Sequence, residues 1–512
     1  MMVDGEKEQN LCKKTMSYPM EMSGKDEMKA QKGGGGGQGD STGRLAANDL
    51  VYILPPDMSV SVNRTFKNQY FQNNSYGNNQ RGICVLNTGA DYGDMRQSSL
   101  EFDVECTGPT GTVGYFGRHG SAMNLIKSIT ISSRSGDEVS RVQDLNLLSY
   151  SQNGFKYDKS WHETVGQTIG TGAHLLNNLD AGAALYKSQH FSIPLYLLSE
   201  FFAYGRLMPP MMLSGMRIEI EWASATEAFQ AVDADSRAAL AAAPITSFVI
   251  NNPFVAMRAV QVTDATQRAL NEMSAVNGLE LVYCDYERTD RTSSGTASDL
   301  NMEIRKAASR AIRCHLTTRV TANVNSGVLN SLMSEPWGYT YWQWQLGSLY
   351  FPQQPVQSKD GDGAKNLTQA ESYKHALITF DKYKSGKCAA TPLNKHGNAF
   401  TNSNMVNTDD ALDLKIISPY RSLALGHTGL AEDYVDGKTG DEDFGTFANG
   451  NGIVSVLLER SDLFDLSGVP INNSRVLAVR ATYSGAVLRT FTTFLKYVRL
   501  ARVFMNNIEV EQ

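Results

Sequence analysis

Apolar residues recur at every second position through much of the chain after Asp49. Leu100, Phe102, Val104 and Cys106 alternate with Glu101, Asp103 and Glu105. Ile129 and Ile131 alternate with Ser128, Thr130 and Ser132, and Ile218, Ile220 and Trp222 with Arg217, Glu219 and Glu221. Further on, Ile312, Cys314, Leu316, Thr318 and Val320 alternate with Arg313, His315, Thr317 and Arg319. Leu477, Val479, Ala481 and Tyr483 alternate with Ala478, Arg480 and Thr482. A period of two places one set in a core and the other in water, the pattern of half-buried antiparallel strands.

Helical spacing is scarce. The best case is Asp264–Ala275, which opens on an Asp able to cap it. Asp233–Ala243 is Ala-rich and reads as a short helix or a mobile insertion. Many short strands and few helices predict an all-β chain of sandwiches or barrels. At 512 residues the chain exceeds what one core supports, about 250–300 residues. The helix is the natural divider, between the strands Phe254–Val262 and Leu279–Tyr286. Four segments are expected: an arm over 1–45, a first sandwich over 46–263, a connecting helix over 264–276 and a second sandwich over 277–512. The similar lengths suggest duplication, although no residue-level repeat is evident.

Residues 1–45 hold methionines, charges of both signs and the run Gly33–Gly37. They cannot bury enough apolar area to offset their ordering entropy, so a flexible arm is expected. Its balanced charges do not make a basic genome-binding tail. Its Met and Leu residues either dock a neighbour or form a passive tail. Lys359–Ser372, Lys384–Ala411 and Gly426–Gly450, rich in Gly, Asn, Asp, Ser or Lys, read as long surface loops.

A net charge of −6 disfavours a nucleocapsid role, which calls for a basic surplus. The six cysteines, Cys12, Cys84, Cys106, Cys284, Cys314 and Cys388, show no C-x-x-C spacing and read as reduced, mostly buried thiols. No signal peptide and no transmembrane helix are expected. The sequons at Asn63, Asn73, Asn366 and Asn472 then read as chance.

Several segments resemble the double jelly-roll major capsid proteins of the adenovirus and tectivirus lineage, most nearly those of polinton-like viruses and virophages. Phe191–Trp222 (FSIPLYLLSEFFAYGRLMPPMMLSGMRIEIEW) resembles the late strands of a first jelly roll, and Ile245–Met273 its last strand and the connecting helix. Trp342–Val356 (WQWQLGSLYFPQQPV) resembles a strand of the second jelly roll and its FP-x-x-P loop. Leu463–Ser484 and Phe494–Gln512 resemble the final strands. The resemblance implies two tandem eight-stranded antiparallel jelly rolls with few short helices. It implies a non-enzymatic shell protein of a DNA virus that forms homotrimers with a near-hexagonal footprint and tiles an icosahedral capsid. The implied partners are neighbouring capsomers, penton and minor or cement proteins. Sequence-specific nucleic-acid binding is not implied, and the implied location is the virion, after synthesis in host cytoplasm.

No motif argues for catalysis, a cofactor or a metal. His162–Glu163 opens like a zinc-protease helix, but Gly166 stands where the second His belongs. Gly437–Thr439 ends like a phosphate loop, but Glu432 stands at the first Gly position. Gly386–Lys387 runs into Cys388 and fails likewise. The eight histidines, His119, His162, His315 and His427 among them, do not cluster at ligand spacing. Asp360 with Asp362, and Asp441–Asp443, read as solvated acidic turns rather than calcium loops. The aromatic run Trp337, Tyr339, Tyr341, Trp342 and Trp344 admits base or sugar stacking. However, Trp342, Trp344 and Leu346 share one strand face and read as core, with Tyr339 and Tyr341 left for a subunit interface. A carbohydrate-binding or carbohydrate-active β-sandwich is the main alternative, and a minor virion component such as a spike or penton protein another.

Overall fold

The computed structural model describes residues 61–109, 112–116, 120–157, 159–171, 179–180, 188–233, 245–276, 278–293, 298–324, 331–332, 334, 339–357, 370–383, 453–459, 467–472, 474–483, 488–504 and 508–511. All belong to one compact unit, Val60–Gln512. The expected arm, the Ala-rich run after Asp233, most of the three long loops, both acidic turns and Trp337 lie outside the described residues.

Ahead of the linking helix come β1 (Ser61–Tyr70), β2 (Ser75–Gly77), β3 (Arg81–Val85), β4 (Tyr92–Thr107), β5 (Thr112–Tyr115) and β6 (Ile126–Ser132). They are followed by β7 (Glu138–Gln143), β8 (Leu179–Asp180), β9 (Ser188–Pro194), β10 (Arg217–Trp222), β11 (Gln230–Asp233) and β12 (Ser247–Val262). After the helix come β13 (Leu279–Thr292), β14 (Asp299–Ile304), β15 (Ala308–Val320), β16 (Tyr339–Leu346) and β17 (Leu349–Gln357). The last are β18 (Val454–Leu457), β19 (Val469–Ile471), β20 (Leu477–Tyr483), β21 (Arg489–Val503) and β22 (Ile508–Glu511).

The first sandwich faces a sheet ordered β1-β12-β4-β9 with one ordered β3-β10-β6-β7. The second faces β13-β21-β15-β18 with β14-β20-β16-β17. Count the eight principal strands of each half in chain order. Both halves then read first-eighth-third-sixth in one sheet and second-seventh-fourth-fifth in the other. Every pairing is antiparallel. Two Greek-key sandwiches of one topology therefore stand in tandem. β2 and the small sheet β11-β5-β8 are additions to the first, β19 and β22 to the second.

The alternating residues form the cores as expected. Leu100, Phe102, Val104, Ile218, Ile220 and Trp222 are fully buried in the first sandwich. There the Phe102 ring meets Trp222 edge-on at 5.4 Å. Trp342, Trp344, Leu477, Val479 and Phe491 are fully buried in the second. Tyr339, expected at an interface, is instead buried in this core, because Tyr339, Trp342 and Trp344 enter the same sandwich through a register shift in β16. Tyr341 is exposed.

The linking helix spans Asp264–Val276. Gly278 follows at φ +70°, a conformation that ends helices and that L side chains avoid. Two longer helices were not expected. Leu145–Lys156 follows β7, and Ala370–Thr379 lies between β17 and β18. The end of the supposed loop Lys359–Ser372 is thus helical, and Ser372 is buried, accepting a 3.0 Å hydrogen bond from Trp342 Nε1. The FP-x-x-P segment is strand β17 rather than loop.

Candidate functional site

The face of β15 that alternation assigns to water is not in water. His315 and Thr317 are fully buried and Arg319 nearly so. They meet the first sandwich across a seam built from β7, the helix Leu145–Lys156 and the turn Glu200–Ala203 on one side. β13, β15 and β21 form the other side. Apolar contacts frame it: Tyr283 packs edge-on against Phe201 at 5.1 Å, and Phe155 stacks on Phe380 at 5.3 Å.

Three carboxylates of the seam each serve cations or hydroxyls of the opposite sandwich. Glu200 accepts from Lys496 Nζ at 2.6 Å and from the Tyr286 hydroxyl at 2.9 Å. Tyr286 in turn accepts from Arg313 at 3.3 Å. Asp285 accepts from Arg499 at 2.9 Å, from the Ser140 hydroxyl at 3.1 Å and from the Tyr286 backbone N–H at 3.0 Å. Beside it the Tyr283 hydroxyl donates to the Val139 carbonyl at 2.5 Å. Asp144 accepts from Arg288 at 2.8 Å and from Lys127 at 3.2 Å. Asp144 sits at φ +46° just ahead of the helix Leu145–Lys156 and makes no capping bond to it. Its carboxylate goes to the seam instead, and Asp is among the few residues that tolerate this backbone.

Burial and neighbouring charge set the protonation states. Burial would raise Glu200, but Lys496, Lys156 and Arg313 outweigh it and hold the carboxyl far below the usual range. Burial pushes Asp285 up to about 6 against the pull of Arg499, so it is ionised at neutral pH. Burial, helped by Arg313, lowers His315 to about 3, so its ring is neutral. Charges removed from water this far need partners in good geometry, and here each carboxylate has them.

Chemically the seam can hold but not turn over. Ser151 Oγ lies 3.1 Å from His315 Nε2, the distance of a nucleophile–base pair. His315 nevertheless has no accessible surface, stacks on Phe494 and has no partner on Nδ1. A base pinned near pH 3 and sealed from substrate does not activate a serine at neutral pH. A cleft of about 620 Å³ opens at the rim beside Glu200 and Lys496, but these two are already paired with each other. No group of three His, Cys, Asp or Glu able to hold a metal occurs among the described residues, and none of their helices is long and apolar enough to cross a membrane. His162 is buried against Trp161. Cys84, Cys106, Cys284 and Cys314 are buried and unbridged. Trp342 and Trp344, completely enclosed, offer no face to a sugar or a base.

The solved structure of VP54 of PBCV-1, fitted into a cryo-EM reconstruction of the virophage Sputnik, is similar to this chain. The TM-score is 0.52 at 10% identity, over 90% of this chain and 99% of that one. The Faustovirus major capsid protein matches with a TM-score of 0.51 at 7% identity, over 90% of this chain and 94% of that one. This chain has the double jelly-roll fold. No family model matches its sequence, and no curated protein does. The fold match runs over most of the length of both chains.

None of the seam carboxylates stood out in the sequence. Each sits in an ordinary strand or turn, and nothing local distinguishes a polar strand face that meets water from one that meets a second sandwich. The one available signal was Arg313, His315 and Arg319 facing the same way as Thr317 in a strand that is apolar opposite, and period alone assigns that face to solvent.

Proposed function

We propose that this protein is a major capsid protein whose three-fold assembly tiles an icosahedral shell of a DNA virus. The observation that carries this reading is the pair of sandwiches with identical strand order, joined through buried, mutually satisfied ion pairs. A shell block must keep its parts fixed relative to one another. Sandwiches joined only by a linker would reorient; these are joined through Glu200, Asp285 and Asp144. Two such blocks per chain and three chains give six per ring, a near-hexagonal footprint, and closed rings arise from one repeated heterologous contact. The similar Faustovirus protein is a major capsid protein, which favours the same role here. On this reading the division of labour runs 46–263 and 277–512 with the helix between, and the protein resides in virions beside penton and minor proteins.

The test is the mass of the purified full chain in solution. A trimer of about 170 kDa, three chains of 56.2 kDa, that assembles further into sheets or shells is expected. A chain that stays monomeric at micromolar concentration would overturn the proposal. The carbohydrate alternative keeps little support once Trp342 and Trp344 are enclosed in the core.

A further inference from the structure

Glu200 also borders a second, smaller space of about 40 Å³ within the seam. Val142, Leu145 and Leu148 give it apolar walls, and Gln152, Glu200 and Tyr286 polar ones. Size restricts what it can take. One water needs about 10–15 Å³ of such room, whereas pockets for organic ligands run to about 300–1,000 Å³. The space therefore admits at most about three waters and excludes a sugar, a nucleotide or a lipid chain. Apolar walls alone would keep it dry, so the polar side chains decide its content.

Gln152 is the unsatisfied member. It is only 5% exposed, and its Nε2 has no acceptor. Its Oε1 lies 3.5 Å from the Tyr286 hydroxyl. That hydroxyl has a single proton and gives it to Glu200 at 2.9 Å. Turning the amide round does not help, because an N–H donor reaches an oxygen at about 2.7–3.2 Å. A buried amide with neither end well paired is rare and costly in a folded protein. Glu200, by contrast, has capacity to spare. A carboxylate offers about four acceptor sites. Lys496 takes one on each oxygen at 2.6 Å, and Tyr286 takes a second on Oε1. Lys156, at 3.9 Å, is an ion pair beyond hydrogen-bond reach. One site on Oε2 is left.

We propose that this space is a water-binding site of the seam, in which a bound water hydrogen-bonds both the Gln152 amide and the Glu200 carboxylate. A carboxylate already flanked by Lys496 and Lys156 does not call for a further cation, and its own charge repels an anion. A neutral molecule of this size that both donates and accepts is water. The water ties the helix Leu145–Lys156 to the carboxylate that holds Lys496 of the second sandwich. This site goes beyond the capsid reading and does not depend on it.

The test is a map of the full chain at a resolution that shows ordered water, for the parent and for Gln152→Met. Methionine keeps the length of the side chain without its amide. In the parent a peak is expected within about 3.2 Å of both the Gln152 amide and the Glu200 carboxylate. In Gln152→Met that peak should be lost while Glu200 keeps Lys496 and Tyr286. Under xenon pressure the parent should take up no xenon here, since xenon enters dry apolar cavities. A parent map without the peak, xenon in the space, or a peak unchanged in Gln152→Met would each overturn the site. Should Gln152→Met not fold, the parent map and the xenon result decide alone.

Discussion

The core of the second sandwich and the seam beside it differ in burial and in material: the core is sealed, whereas Lys496, Glu200 and Arg288 of the seam keep some exposure. The core is apolar: Trp342, Trp344, Leu346, Val479 and Leu495 fill it. The seam mixes charge with apolar contact: Glu200 and Asp144 pair across it with Lys496 and Arg288, Asp285 pairs with Arg499 beside them, and Leu281, Tyr283, Ala501 and Val503 pack against the first sandwich. An apolar core stabilises through burial and tolerates many arrangements. Buried charges stabilise little over a hydrophobic replacement, but they fail badly when mispaired. The comparison suggests that the cores make each sandwich fold, whereas the seam fixes how one sandwich stands against the other.

Breaking the core should have the largest effect. Ile220→Asp puts an unpaired charge into a fully buried strand face, at a cost of several kcal/mol against a total of about 5–15 kcal/mol. No soluble folded protein is expected, and recovery of a normal melting transition would show that this face is not core. Trp342→Ala should cost about 3–5 kcal/mol in denaturant unfolding.

Breaking the seam on one side should come next. Asp285→Ala leaves Arg499 buried without its partner and should cost about 3–5 kcal/mol. The paired change Asp285→Leu with Arg499→Met should recover most of that loss. If the pair unfolds as easily as Asp285→Ala alone, then burial of charge is not what Asp285→Ala exposes.

A smaller effect is expected from pH. His315 has its folded-state value lowered from 6.5 to about 3. As pH falls below 6.5 the unfolded chain takes up a proton that the folded chain refuses, so this contribution is lost progressively toward pH 3. At pH 5 the loss relative to neutral pH should be about 2 kcal/mol. Asp285 works in the other direction, since its raised value favours the folded state as pH drops through about 6 toward the unfolded value. Comparing the parent with His315→Gln cancels that term. The difference in unfolding free energy between the two should shrink by this amount from pH 7 to pH 5, and a constant difference would contradict the assignment. At the bottom of the scale, Arg305→Ala removes only an exposed pairing with Glu303 and should shift stability by no more than about 0.5 kcal/mol.

The same contrast explains what was legible in the sequence. Leu100, Phe102, Val104, Ile218, Ile220 and Trp222 announced their strands because alternation is a local signal. The helix after Asp264 was legible through its opening Asp and its periodicity. Leu145–Lys156 was not, since its Ser, Asn and Gly residues are poor helix formers and its polar stripe of Ser149, Gln152, Asn153 and Lys156 is buried or half-buried rather than exposed. Ala370–Thr379 was hidden behind a Gly- and Lys-rich run that reads as loop. The seam was hidden for a deeper reason. Arg313 and His315 carry no mark that their face meets Ser151 and Glu200, which come from residues more than a hundred positions away. Pairing between charges so distant in sequence is a property of the assembled fold.

Electron microscopy of the purified full chain is the most direct check on the proposal that two sandwiches, held against each other at the seam, build a shell. Class averages should show compact particles of three chains with six equivalent lobes on a near-hexagonal outline. Isolated two-lobed particles whose lobes vary freely in relative angle would contradict both the locked seam and the assembly built on it.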